Sequence, residues 1–98
     1  MNRCSVTVER ATVAHPTNPR GHICYYLIPL PASRGCAWSF LCTEVEDDIP
    51  LKSEFLYDVT REQSTARILF RLAIDGCVLP GSLQEVFAEQ EVWVKAES

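Results

Sequence analysis

The amino-acid sequence predicts an α+β fold, in which a mostly antiparallel sheet of about four to five strands carries helices on one face. Alternating or apolar segments bounded by prolines, glycines and acidic residues fill the first half of the chain, as is typical of strands. In the second half, capping-box patterns precede segments that suit a main helix at about 60–75 and a short helix at about 82–89. We therefore expect the strands first, then both helices, then one last strand.

Four segments have the composition and alternation of β-strands. They are CSVTVER at 4–10, HICYYLI at 22–28, CAWSFLCTEV at 36–45 and EVWVKAE at 91–97. Pro29 and Pro31 follow the second segment and are expected to end it, because proline cannot donate a hydrogen bond to a sheet ladder. LKSEFLYDV at 51–59 fits either a short strand or an irregular crossover. We expect a sheet edge at 4–10 or at 91–97.

The segment 65–75 fits two templates, because its apolar residues align both at a period of two and at a period of 3.6. Three observations favour a helix. Thr60 and Gln63 have capping-box spacing, the interior residues are mostly good helix formers, and Gly76 stands where a helix often ends. Asp75 followed by Gly76 is also a hairpin signal. A strand here would make the protein a small all-β barrel, which is the alternative fold.

The length and composition indicate one α+β domain over 1–98. Apolar residues make up 47% of the chain and charged residues 22%, which is ordinary for a globular protein. The first ten residues lack the apolar core of a secretory signal, and no apolar run approaches the length of a membrane span. We therefore expect a cytoplasmic protein whose five cysteines are free thiols.

Charge is distributed unevenly along the chain. In residues 1–43, four arginines and one glutamate give a net charge of +3. In residues 44–98, five basic and twelve acidic residues give −7. An acidic second half disfavours nucleic acid and anionic membranes as partners. It would suit a basic protein surface, or serve only solubility.

One group of side chains could form a metal or reactive-thiol site. If Ile28 lies opposite Cys36 in an antiparallel hairpin, then His22, Cys24 and Cys42 gather at one end of one face. Histidine and cysteine are zinc ligands, and a histidine can also lower the pKa of a thiol. The sequence has no C-x-x-C pair, and a fourth ligand would have to come from another segment. The alternative is that these cysteines pack in the core.

The function that we predict is a small cytoplasmic protein-interaction or inhibitor-type module that acts through a sheet edge and an acidic surface, without a cofactor. Its partner would be another protein or a second copy of the chain. The predicted contact residues are Val92, Trp93 and Val94 on the last strand and Glu46, Asp47 and Asp48 in the acidic turn. The alternative is a small enzyme or ligand-binding protein with the Cys/His site between sheet and helix. Motifs of nucleophilic catalysis or phosphate binding are absent from the sequence.

Overall fold

The computed structural model describes residue 4 and residues 7–90, and it is an open antiparallel sheet with two helices. The elements are β1 (Glu9–Ala14), β2 (Gly21–Pro31), β3 (Cys36–Glu46), β4 (Ile49–Thr60), α1 (Gln63–Asp75) and α2 (Leu83–Ala88). The strands are neighbours in chain order, β1-β2-β3-β4. The α+β prediction is confirmed, and the all-β barrel is wrong because 65–75 is helical and the sheet is not closed. The strand predicted at 91–97 lies outside the described residues.

β1 begins later in the chain than the alternating pattern at 4–10 predicts. Pairing with β2 starts where Glu9 lies opposite Leu27, and residues 7 and 8 are not part of a strand. Cys4 instead forms a disulfide with Cys36, at the start of β3. The expectation that all five cysteines are free is therefore wrong for this pair.

The β2–β3 hairpin has a register different from the predicted one. Pro31, not Ile28, lies opposite Cys36, so a four-residue connection, 32–35, replaces the expected seven-residue one. The difference of three positions is odd, and side chains alternate between the faces of a sheet. Odd-numbered residues of β2 therefore share a face with even-numbered residues of β3. Both faces of the predicted strand are apolar, so the pattern could not distinguish the two registers.

Pro29 and Pro31 lie within β2 and do not end it, contrary to the prediction. Pro29 is opposite Trp38 in the ladder with β3. The pairing of β2 with β1 stops at Leu27, so no described strand pairs with the rest of β2 on that side. Proline is tolerated at an edge because its missing N–H is not needed by a neighbouring strand.

β4, which the sequence left between a strand and a crossover, is the longest strand of the sheet at 12 residues. It joins β3 through a two-residue turn in which Asp47 and Asp48 both have positive φ, 50° and 66°. A two-residue connection with this backbone is a type I′ hairpin turn. Two bulges interrupt the β3–β4 ladder, and Leu51 is the extra residue of one of them.

α1 begins at Gln63, three residues after the predicted start, and Glu62 is its N-cap. The predicted capping box between Thr60 and Gln63 does not form. The Thr60 hydroxyl accepts a hydrogen bond from the backbone N–H of Glu62, and the Thr65 hydroxyl donates to the Glu62 carboxylate. Local bonds of the cap residue thus replace the expected reciprocal pair.

The C-terminus of α1 is a Schellman motif. The N–H of Cys77 donates to the carbonyl oxygen of Ile74, and the N–H of Val78 donates to that of Ala73. The left-handed residue of this motif is Cys77, with φ 49°, and Gly76 before it remains right-handed. Gly76 was predicted to end the helix. It does so, but without supplying the positive φ for which glycine is usually chosen.

The core lies between α1, α2 and one face of the sheet. Odd-numbered β2 residues and even-numbered β3 residues meet buried helical residues there. The largest fully buried side chains include Tyr25, Leu27, Phe40, Leu69, Leu83 and Phe87. Phe40 and Phe87 pack edge to face, with ring centroids 4.9 Å apart. The predicted placement of both helices on one face is confirmed.

Candidate functional site

The face of the sheet opposite α1 is not covered by any described element; we call it the open face. It carries the side chains that alternate with the core residues of each strand. These include Arg10, Thr12, His22, Cys24, Tyr26, Ile28, Leu41, Thr43, Ser53, Phe55 and Tyr57. Hydroxyl, aliphatic and aromatic groups dominate this face. It therefore combines apolar area with few charges.

The structure separates the three residues of the predicted Cys/His site. Cys24 lies opposite Thr43 and His22 opposite Val45, on the open face. Cys42 lies opposite Tyr25, on the core face. The register behind the predicted site is therefore wrong, and the sheet itself stands between Cys24 and Cys42. Within the described residues, no group of three or more His, Cys, Asp or Glu side chains is arranged to hold a metal ion.

Cys24 is buried on the open face beneath longer side chains. The Arg10 guanidinium is 3.9 Å from its sulfur and lies over the Tyr26 ring, 5.8 Å from the centroid. The hydrogen bond to Cys24 and the nearby Tyr26 raise the pKa of Arg10 above its ordinary value. The Thr12 hydroxyl is 3.7 Å from the same sulfur. Arg10 and Tyr26 thus cover the thiol and limit access to it.

Cys42 is fully buried, and its thiol donates a hydrogen bond to the carbonyl oxygen of Val78, 3.4 Å away. Burial, followed by the nearby Glu54 carboxylate, raises the pKa of Cys42 to about 12. The thiolate is the nucleophilic form of cysteine, and a raised pKa keeps the thiol protonated at neutral pH. This environment does not favour the reactive thiol predicted at this position.

The acidic turn predicted to contact a partner is occupied mainly by the chain itself. The Glu46 carboxylate accepts a hydrogen bond of 2.7 Å from the Asn18 side chain, and Asp47 forms an ion pair with Arg20. Asp48 is exposed at the tip of the turn. Two of the three predicted acidic contacts thus hold the 15–20 loop against the β3–β4 turn.

His15 holds the other end of that loop to β3. Its Nδ1 accepts hydrogen bonds from the backbone N–H groups of Thr17 and Asn18, both at 3.1 Å. An accepting Nδ1 carries no proton, so in the neutral ring Nε2–H donates to the Glu44 carboxylate, 3.0 Å away. Glu44 is 29 positions away in sequence, so no local pattern indicates this contact of His15.

The outer edge of β4 is the most exposed apolar part of the described chain. Six large hydrophobic residues are exposed among the described residues, and four of them belong to β4: Ile49, Leu51, Phe55 and Tyr57. Phe55 is 50% exposed and Tyr57 62%. Among the described residues, the β4 backbone forms ladder bonds only with β3. An apolar edge with unpaired backbone groups is a site where a further strand can pair.

The prediction of an interacting sheet edge named Val92, Trp93 and Val94, which lie outside the described residues. β4 was not predicted to be a sheet edge. The signal was present, because Phe55 and Tyr57 alternate with charged or smaller residues in SEFLYD. The unresolved choice between a strand and a crossover kept that alternation from being used.

The described residues contain no helix that is long and apolar enough to cross a membrane. The Cys/His alternative has no support from the positions of His22, Cys24 and Cys42, whereas four of the large exposed hydrophobic residues of the described chain lie on β4. No family model, curated protein or solved structure matches this chain.

Proposed function

We propose that this chain is a protein-interaction module, and that it binds an extended segment of a protein partner by adding that segment to the sheet along β4. The supporting observation is that four of the six exposed large hydrophobic residues lie on the strand whose outer backbone has no described partner. Strand addition uses the free N–H and C=O groups for affinity and the alternating side chains for specificity.

The chemistry of the surface indicates the kind of segment that would fit. On the open face beside β4 lie Leu41, Thr43 and Ser53, and the last two share a hydrogen bond of 3.0 Å between their hydroxyls. Phe55 lies opposite Leu41 in the ladder with β3, whereas Tyr57 lies close enough to Arg61 to interact with it electrostatically. A complementary segment would therefore place an uncharged, apolar side chain against Phe55, because an unpaired charge there would be desolvated at a cost.

We propose further that the acidic turn speeds association by attracting a partner of opposite charge. Asp48 is exposed where β4 begins, and residues 44–98 carry a net charge of −7. Charges at the rim of an interface change the association rate more than the affinity. A basic residue beside the bound segment would gain from this field.

A cytoplasmic location is likewise a proposal. Thiols are kept reduced in that compartment, so the Cys4–Cys36 bond would be open there. The β4 edge lies on the opposite side of the sheet from β1 and takes no part in this crosslink. The proposed interaction surface therefore does not depend on the redox state of the pair.

The test uses a displayed library of extended twelve-residue peptides that is panned against the whole chain. Peptides that bind should protect β4 backbone amides from hydrogen exchange. Phe55→Glu should weaken their binding at least tenfold, because it buries a charge. Ile68→Glu is the matched control, since Ile68 is equally exposed but lies on α1. Protection confined to another element, or equal losses for both variants, would overturn the proposal.

A further inference from the structure

We propose, building on the strand-binding role of β4, that the strand which it accepts is β4 of a second copy of this chain. The two copies would be related by a twofold axis through Ser53, and their sheets would join into one sheet of eight strands. Residue pairs across an antiparallel junction have a constant sum of residue numbers, so Ser53 at the axis lies opposite itself.

The sequence of β4 is complementary to itself about this position. With Ser53 on the axis, Lys52 of one copy lies opposite Glu54 of the other, and by symmetry this pair occurs twice. Directly opposed side chains of opposite charge stabilise a strand pair, whereas like charges destabilise it. Moving the axis by one residue in either direction places Lys52 or Glu54 on the axis, opposite its own copy. Ser53 is therefore the centre that the charges favour.

The exposed apolar residues of β4 follow the same symmetry. Leu51 of one copy lies opposite Phe55 of the other, and Ile49 and Tyr57 lie just beyond the two ends of the paired segment. All four are exposed in the single chain. The symmetric junction would remove apolar area from water on both sides of the axis, which is the main driving force for association.

Pro50 limits the length of this junction, and the Glu54 carboxylate can take part in it. Pro50 has no N–H to donate, so we expect the ladder to end before it and to span 51–55 in each copy. Glu54 accepts three backbone hydrogen bonds from its own chain and remains partly exposed. A carboxylate has acceptor positions for a fourth bond, so Lys52 of the second copy can be accommodated.

The order of charges along β4 favours a second copy over an unrelated strand, although the net negative charge of each copy slows their encounter. An unrelated partner must supply an acidic residue opposite Lys52, a basic residue opposite Glu54 and apolar residues on either side. β4 read in the reverse direction has this order. The two copies also associate through the same patch, so the assembly closes at two chains and leaves no free β4 edge to propagate.

The first test is the oligomeric state by sedimentation velocity over a range of protein concentrations. We expect a monomer–dimer equilibrium that Lys52→Glu weakens roughly tenfold, because two like-charge pairs replace two favourable ones. Arg34→Glu makes the same change of charge in the turn between β2 and β3, away from β4, and should leave the equilibrium close to that of the wild type. Equal effects of the two variants would overturn the Ser53-centred junction.

The second test locates the axis. Ser53→Cys places two cysteines opposite each other in the dimer, within reach of a disulfide. Mild oxidation should crosslink it efficiently in a Cys77→Ser background, while Ala14→Cys, which is also exposed but on β1, should give little dimer. Crosslinking through position 14 but not through position 53 would overturn the proposal.

The two proposals fail in different ways. A wild-type chain that stays monomeric at high concentration, yet binds library peptides along β4, would reject the second copy and retain strand binding. A monomer that binds no peptide along β4 would reject both. A dimer whose β4 amides exchange as freely as those of the Lys52→Glu variant would place the contact elsewhere and reject the junction.

Discussion

Tyr25 and Cys42 lie opposite each other in the β2–β3 ladder, and both donate hydrogen bonds to one carbonyl oxygen, that of Val78. The phenol oxygen of Tyr25 is 2.8 Å from this acceptor and the sulfur of Cys42 is 3.4 Å from it. Val78 is the last residue of the Schellman motif that ends α1. These two bonds therefore tie the end of the helix to the centre of the sheet.

Removing the phenol hydroxyl of Tyr25 should show how much its hydrogen bond to Val78 contributes to the free energy of unfolding. Tyr25→Phe should lower the free energy of unfolding by about 1–2 kcal/mol, because a buried hydrogen bond is lost without a large change of shape. The double variant with Cys42→Ala should lose more than the sum of the single variants, since the Val78 carbonyl is then left without a donor. Urea denaturation of the four proteins tests this coupling. Strict additivity would mean that the two donors act independently.

The same pair should make stability depend on alkaline pH. Burial raises the pKa of Cys42 from an ordinary 9.0 to about 12, and burial also raises the pKa of the Tyr25 phenol. Both groups are neutral in the folded protein, so their contribution is complete below their ordinary pKa values. Above about pH 9 the unfolded chain ionises first, and the free energy of unfolding should fall as pH rises.

Denaturation at pH 8 and at pH 10.5 tests that expectation. Cys42→Ala removes one of the two titrating groups and should reduce the difference between the two pH values. A variant that loses stability by the same amount as the wild type between pH 8 and 10.5 would show that Cys42 contributes nothing to the pH dependence.

The sequence predicted the class of fold, but it did not predict which residues of β2 and β3 lie on the same face of the sheet. Local signals, namely helix-forming residues and the position of Gly76, favoured a helix for α1, although apolar periodicity alone fitted a strand as well and the predicted capping box does not form. α2 was predicted from equally local signals. Which residues of β2 and β3 share a face depends on the length of the four-residue connection between these strands. Both strands are apolar on each face, so their sequences do not reveal that length. Pro29 was read as a strand end because the sequence does not reveal that β1 stops pairing at Leu27.

The sequence predicted the type of candidate site, a sheet edge, but not the strand that forms it. A sheet edge with exposed aromatic residues was expected, but it was assigned to 91–97, whereas the described edge is β4. The disulfide joins residues 32 positions apart, and no local pattern pairs Cys4 with Cys36 rather than with another cysteine. The structure supplied what depends on contacts between distant segments.

Glu54 is such a distant contact, because it caps α2 from β4. Its carboxylate accepts hydrogen bonds from the backbone N–H groups of Gly81, Leu83 and Gln84, at 2.7, 2.9 and 3.1 Å. Ser82, the N-cap residue of α2, makes no side-chain capping bond. Glu54→Ala should therefore cost about 1–2 kcal/mol of stability, and Glu54→Gln less, because the amide oxygen can still accept.

Hydrogen exchange of the Leu83 and Gln84 amides is the direct measurement, combined with urea denaturation. Glu85→Ala is the control, since Glu85 lies in the first turn of the same helix. If Glu54→Ala and Glu85→Ala expose these amides equally, the cap does not come from β4.

The type I′ turn between β3 and β4 should be improved by glycine. Asp47 and Asp48 both have positive φ, which aspartate adopts more readily than most residues but less readily than glycine. Asp48→Gly should raise the free energy of unfolding by about 0.5–1 kcal/mol. Asp48→Ala also removes the charge but retains the unfavourable φ, so it should not stabilise. Thermal denaturation distinguishes the two, and equal stabilisation would assign the effect to charge.

The Cys4–Cys36 bond should contribute measurably to stability in oxidising conditions. It closes a loop between residues 32 positions apart, for which the chain-entropy model gives about 3–4 kcal/mol. Cys4→Ser, or treatment of the wild type with a reductant, should lower the free energy of unfolding by a similar amount, whereas Cys77→Ser should not reproduce this loss. Alkylation of the chain in intact cells, followed by mass spectrometry, then reports which state exists there. Complete alkylation of Cys4 and Cys36 agrees with a cytoplasmic location, and protection of both cysteines contradicts it, because a cytosol that reduces thiols would open the bond.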